Sequence, residues 1–172
     1  MKLYTIGHSN DPIDYFFSLL RQNGIDTVAD VRSIPYSRYA RQFNKNALET
    51  FLEKRSLRYL YMGDTLGGKI RDPAYLDGKG RIDTAKVVKS PKFLAGISRL
   101  EREIAGGAVL ALLCAEKEPL RCHRFFLISR FLTARGYEVL HIVGGEVFSH
   151  AALEETVRKR STGRQLNLFD SD

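Results

Sequence analysis

Hydrophobic and polar positions repeat along this chain with two periods. Short apolar runs closed by glycine, proline or a polar turn occur at residues 2–6 (KLYTI), 27–31 (TVADV), 58–62 (RYLYM), 108–113 (AVLALL) and 137–143 (YEVLHIV), and each reads as a strand. Between them, apolar residues recur at helical spacing: Ile13, Phe16, Phe17, Leu19 and Leu20; then Ala47, Leu48, Phe51 and Leu52; then Phe93, Leu94, Ile97, Leu100 and Ile104. Asp11 with Pro12, Asn44 or Asn46, and Ser90 with Pro91 supply helix starts, while Gly24 and Gly106-Gly107 supply stops. Two more helices are expected at about 121–135, stopped by Gly136, and near 149–159. The run at 108–113 is apolar throughout, as expected of a strand covered on both faces. Strand alternating with helix predicts an α/β fold: a single-domain three-layer sandwich with a mostly parallel, Rossmann-like sheet of about five strands. That domain should span residues 1–160, with 161–172 a flexible C-terminal tail. One stretch resists both periods. From Leu66 to Lys89, with Gly67, Gly68, Pro73, Gly78 and Gly80, the chain is long for a connection and is expected to form a lid or binding loop or to be partly mobile.

Composition narrows the setting. No apolar run is long enough to span a bilayer, and the first residues lack the apolar core of a signal peptide, so a cytoplasmic protein with no membrane partner is expected. Both cysteines should then be reduced. The formal net charge of +7 favours an anionic partner, either nucleic acid or a phosphate-bearing ligand. A basic solvated surface is the bland alternative, and the placement of Arg32, Arg38, Arg41, Lys69, Arg71, Arg121 and Arg124 in or beside loops argues against it.

In an open parallel sheet, ligands bind beyond the carboxyl ends of the strands. Each strand was assigned from pattern alone, yet these ends collect the reactive residues: His8 and Ser9; Asp30, Arg32, Ser33 and Arg38; Gly67 and Gly68; Cys114 and Glu116; and Gly144, Gly145 and Glu146. Cys122, His123 and Arg124 follow Cys114 closely. Cys122 lies near a helix start among cations, which favours a thiolate; Cys114 ends an apolar strand. Packing alone would also explain either cysteine. His8 suits general acid/base chemistry or phosphate binding, and Arg32, Arg38 and Arg124 suit bidentate anion binding. The C-x7-C-H spacing matches no compact zinc pattern, so no metal is expected. Nor does Cys114 to Arg121 match C-x5-R, and no cofactor is implied. Tyr36, Tyr39, Tyr59 and Tyr61 could stack on bases.

Four blocks, TIGHS at 5–9, DVRSIPYSR at 30–38, LGG at 66–68 and LLCAEKEPLRCHR at 112–124, together resemble the DUF488 family, which is one of unknown function. The resemblance implies that His8, Ser9, Asp30, Arg32, Ser33, Arg38, Gly67, Gly68, Cys114, Glu116, Cys122, His123 and Arg124 form one shared site. A second, local resemblance lies in the tail. Gln165, Leu166, Asn167, Leu168 and Phe169 (QLNLF) resemble the pentapeptide with which bacterial polymerases and repair proteins dock on the sliding clamp, with Asn167 in place of the usual Ser or Asp. Leu166, Leu168 and Phe169 would be its apolar anchors.

The expectation is an enzyme acting on a phosphate-bearing or nucleic-acid substrate and recruited to DNA through the clamp. Cys122 or Cys114 would be nucleophile or redox thiol, His8 or His123 acid/base and Glu116 an orienting group. Ser9, Asp30, Arg32, Ser33, Arg38, Gly67, Gly68 and Arg124 would bind the ligand. A non-catalytic nucleic-acid-binding module and a small-molecule anion sensor are the alternatives.

Overall fold

The computed structural model describes residues 1–161; the QLNLF motif lies outside the described residues. The strands are β1 (Lys2–Gly7), β2 (Thr27–Asp30), β3 (Arg58–Tyr61), β4 (Leu110–Cys114), β5 (Glu138–Val143) and β6 (Glu146–Ser149). The helices are α1 (Ile13–Gln22), α2 (Lys45–Glu53), α3 (Gly63–Leu66), α4 (Thr84–Val87), α5 (Pro91–Ala105), α6 (Arg130–Ala134) and α7 (His150–Ser161). A π-helical turn, Arg124–Ser129, runs directly into α6. Among the described residues no helix is long and apolar enough to cross a membrane.

The strands form one six-stranded sheet in the order β3-β2-β4-β1-β5-β6, all parallel except β6. The sixth strand is a departure from the sequence reading. Gly144 and Gly145 both have positive φ and fold the chain into a tight hairpin rather than leading straight to the last helix. That turn does not line the cleft described below.

Every residue of β4 is buried. Its side chains alternate between two cores, as strand geometry demands. Leu110 and Leu112 join the side chains of α5, the π turn and α6, including Phe93, Ile97, Leu127 and Leu132. Ala111 and Leu113 join those of α1 and α2, including Phe16, Leu20, Leu48 and Leu52. Each fully buried leucine contributes about 1.5–3 kcal/mol of transfer free energy.

The same partition positions the site. Strands β1 and β2 flank β4, and the helices that follow them pack on one face of the sheet. The helical segment after β4 packs on the other. Connections leaving to opposite faces open a crevice at the carboxyl end of β4, where doubly wound sheets hold their ligands.

The segment expected to be irregular is partly ordered. Pro73–Tyr75 forms a 3-10 turn capped by Asp72, α4 is capped by Asp83, and Leu76 and Ile82 make an antiparallel bridge.

Candidate functional site

At the end of β4 the chain turns through Ala115, Glu116 and Lys117, and two neighbours hold this turn. From β1, His8 and Ser9 donate backbone N–H groups to the carbonyls of Cys114 (3.1 Å) and Ala115 (2.9 Å). Gly7 passes so close to the Glu116 carbonyl that a Cβ there would collide with it. From the other side comes Arg124, fully buried, whose guanidinium donates to the carbonyls of Glu116 and Lys117. Arg124 was expected to bind anions in the cleft. Its donors are instead turned inward onto the backbone, and it does not line the cleft.

Cys122 is delivered to the same place. Glu118 and Pro119 start a 3-10 turn over Pro119–Arg121, and Cys122 follows in extended conformation. Its Sγ lies 3.1 Å from that of Cys114 and donates to it; both cysteines are buried and unbridged. The hydrogen bond from Cys122 holds the Cys114 thiol far below its ordinary range, with His123 and Arg124 assisting against the opposing effect of burial. Sharing that proton, and burial, push Cys122 upward. The sequence favours Cys122 as the thiolate; the pair geometry transfers that character to Cys114, because a thiol already donating to a neighbouring sulphur cannot readily ionise as well.

His123 stands beside the sulphurs, with Nδ1 3.7 Å from Cys122 Sγ, while Nε2 faces the Val31 carbonyl at 3.2 Å. A carbonyl only accepts, so Nε2 carries a proton, and Nδ1 is the ring nitrogen turned toward the thiols. Gly68 packs against this ring, and a Cβ there would lie 2.6 Å from it.

A second group of residues is built on β2. Asp30 is fully buried and accepts from the Arg32 backbone N–H, from Arg32 Nε (2.8 Å) and Nη2 (2.5 Å), and from the Tyr59 hydroxyl (2.6 Å). Arg32 Nη1 donates to His8 Nε2 at 2.9 Å. His8 in turn donates from Nδ1 to the Ser9 carbonyl at 2.6 Å and stacks on Phe43, with centroids 4.3 Å apart. Burial, then the Arg32 cation, lowers the His8 pKa to about 4, so the ring is neutral. Both nitrogens of His8 are engaged. The histidine expected as an acid/base is thereby arranged as a support for Arg32.

The two groups meet in an open cleft of about 520 Å³. Cys114, Cys122 and His123 line it together with Arg32, Ser33, Gly68, Lys69, Glu116 and Arg121. Of the residues expected in one site, Asp30 and His8 stand behind the wall and reach the cleft through Arg32. Gly67 packs against Ser33 on the far side of the same backbone strip. Ser9 and Arg38 are exposed and do not line the cleft; Arg38 lies over the Tyr39 ring instead. Sequence reasoning missed the part of Tyr59, whose hydroxyl completes the Asp30 cradle. Only the β2–β3 pairing, which sets Val28 opposite Tyr59, brings it there. Phe43 was missed too, for it packs on His8 across a long interval of chain.

The donor atoms of Cys114, Cys122 and His123 all lie within 4.8 Å of one another, so these three residues could together hold a thiophilic ion such as zinc. The C-x7-C-H spacing contains the same trio but matches no compact zinc pattern, so no metal was expected from it. Arg124, Arg32 and Arg121 surround it with positive charge, which favours an anionic sulphur over a bound cation.

The chain belongs to the DUF488 family, described as a domain of unknown function, whose model matches residues 12–131. The match takes in both cysteines, His123, Asp30, Arg32 and the Gly67-Gly68 pair, and begins just after His8 and Ser9. No curated protein and no solved structure matches the chain.

Proposed function

We propose that this protein is an enzyme acting on a phosphate-bearing substrate, with a thiolate of the Cys114–Cys122 pair as its nucleophile. The supporting observation is the sulphur pair itself: two thiols 3.1 Å apart at a cleft also lined by Arg32, Lys69 and Arg121. A phosphoryl group drawn in by these cations would sit against Cys114. The Cys114 sulphur forms an S–P bond as the P–O bond to the leaving group breaks, and the leaving oxygen takes the Cys122 proton. Water then cleaves the S–P bond, delivering hydroxide to phosphorus and a proton back to Cys122. His123 Nδ1 is the neighbouring acceptor that carries this proton. Asp30, Tyr59 and His8 are positioning residues for Arg32, and Arg124 holds the turn that presents Cys114. We read the sheet as the middle layer of a Rossmann-like sandwich, a single domain over residues 1–160, working in the cytoplasm.

The test is alkylation of the native protein with iodoacetamide over a pH series, with the labelled sites mapped by mass spectrometry. Cys114 should label well below the ordinary thiol range, inorganic phosphate should slow the labelling, and Cys114→Ser should abolish turnover of phenyl phosphate. Native thiols inert at neutral pH, in a protein whose unfolded form labels at both cysteines, would remove the nucleophile.

Recruitment to DNA is the second part of the proposal, supported by sequence alone. Gln165, Leu166, Leu168 and Phe169 match the clamp-docking pattern at its polar lead and apolar anchors. Titration against a bacterial sliding clamp tests it. Leu168→Ala with Phe169→Ala should abolish binding, and equal binding by both proteins would exclude docking through this tail.

A further inference from the structure

A second cavity, of about 460 Å³, adjoins the thiol cleft. Ser33 and Lys69 line both. The strip between them is the Gly67-Gly68-Lys69-Ile70 backbone. Gly68 faces the thiol cleft, while Gly67 and Ile70 face the second cavity. Two observations indicate that this strip is built rather than incidental. It threads between Ser33 on one side and His123 on the other, too tightly for a Cβ at either glycine. It is also pinned by a hydrogen bond from the Lys69 N–H to Ser33 Oγ at 2.9 Å. The glycine pair thereby sets Lys69 over the junction.

The two cavities differ in chemistry. Thiols, imidazole and guanidinium groups are gathered in the first, beside Ile34, Tyr36 and Ile82. Rings and aliphatic side chains dominate the second: Tyr61, Ile70, Tyr75, Phe93 and Leu127. Its charged neighbours Asp64, Arg71, Asp72 and Lys92 are exposed. Its size and lining are those of a small-molecule site, apolar with a few polar groups at the edge. It also opens toward the one cation, Lys69, that it shares with the thiol cleft.

We infer that the two cavities form one bipartite site for an organic phosphomonoester whose other half carries a flat ring, such as a nucleoside monophosphate or a small aryl phosphate. The inference rests on the reading of the thiol cleft as a phosphate site and adds the substrate class. The phosphate lies among Arg32, Arg121 and Lys69 against the sulphurs, and the ring lies between Tyr75, Ile70 and Phe93. The segment from Gly67 to Val87 walls both halves, which accounts for a long connection whose own apolar pattern fits neither strand nor helix.

Calorimetric titration of the full-length Cys114→Ser protein, which cannot turn the esters over, with inorganic phosphate, phenyl phosphate and adenosine monophosphate separates the two readings. The ring-bearing esters should bind at least about tenfold more tightly than inorganic phosphate, since burying a ring adds apolar contact that phosphate lacks. Tyr75→Ala and, separately, Ile70→Ser should erase that gain and leave inorganic phosphate binding unchanged, while Lys69→Ala weakens all three ligands. A larger gain for adenosine monophosphate identifies a nucleotide; a larger gain for phenyl phosphate identifies a small aryl ester. Equal affinity for all three ligands, or a gain that survives both substitutions in proteins with wild-type melting, overturns the bipartite site and leaves the phosphate cleft standing. Failure of all three ligands to bind overturns both.

Discussion

Asp30→Asn changes a few atoms and should cost this protein a large part of its stability. Asp30 is wholly buried and Arg32 nearly so, at 7% exposure. The carboxylate accepts four hydrogen bonds, three of them from Arg32 and one from Tyr59. An asparagine of the same shape keeps one oxygen, which can still take the backbone N–H and Nε of Arg32. Its amide then turns a donor toward Arg32 Nη2 and the Tyr59 hydroxyl, where the second oxygen had accepted. The hydrogen bond from Nη2 is lost, the Tyr59 hydroxyl must reverse to accept from the amide, and the guanidinium is left buried without its counter-ion. Breaking a buried ion pair from one side costs about 3–5 kcal/mol, of which the lost charge-assisted hydrogen bond accounts for about 1.5–3 kcal/mol. The measurement is urea unfolding followed by circular dichroism. With a slope near 2 kcal/mol per molar, the midpoint should fall by about 2 M at unchanged slope. Phosphate binding should weaken as well, because Arg32 loses the group that aims it. A midpoint shift under about 0.5 M at unchanged slope would refute the account of Asp30 as the anchor of Arg32.

Peroxide should join the cysteines: the Cys114 thiolate becomes a sulfenic acid as the O–O bond breaks, and Cys122 then displaces its oxygen as water to give an intrachain disulfide. Intact-mass analysis should show the loss of two hydrogens in a monomer, and two alkylatable thiols remaining after treatment would contradict the pairing. His141 gives a pH prediction. Burial, then His150 and Arg124, lowers its pKa to about 3, from an unfolded value of about 6.5. The folded state therefore binds fewer protons than the unfolded state between these values, and stability is present above the unfolded pKa and declines as pH falls. From about pH 7 to about pH 4.5 this one histidine should remove about 3 kcal/mol; His141→Asn, compared by urea midpoints at both pH values, should lose correspondingly less, and parallel losses would refute it. Gly68→Ala should press on the His123 ring, 2.6 Å from the added Cβ, lower the alkylation rate of Cys114 severalfold and cost about 1–3 kcal/mol of stability through overpacking; an unaltered rate in the folded variant would separate His123 from the thiol chemistry.

Much of this arrangement was legible in the chain, and the failures share a cause. The strand at 108–113 announced itself by being apolar at every position, since only a strand covered on both faces reads that way. Ser90-Pro91 correctly marked a helix start and its cap, whereas Asp11 was expected as a cap and the helix instead begins one residue later, with Pro12 in the cap position and no side-chain capping bond. The hairpin strand β6 was missed because Gly144-Gly145 is equally good punctuation before a helix or inside a turn. Arg124 and Arg38 were indistinguishable as letters. One is fully buried against carbonyls and the other is exposed over Tyr39, and local sequence does not encode which side of a helix or loop faces a neighbouring strand end.

By itself, then, the sequence determined the α/β alternation, the edge of the sheet where polar and reactive residues gather, and the family to which the chain belongs. These follow from period and composition, which are local. Only the tertiary structure decided the roles within that edge. It made Cys114 rather than Cys122 the thiol of lowered pKa, turned His8 into a support for Arg32, directed Arg124 inward and brought Tyr59 onto Asp30. Each depends on a distance of a few ångströms between residues far apart in the chain. Hydrogen bonding and charge act over that distance, whatever the separation in sequence.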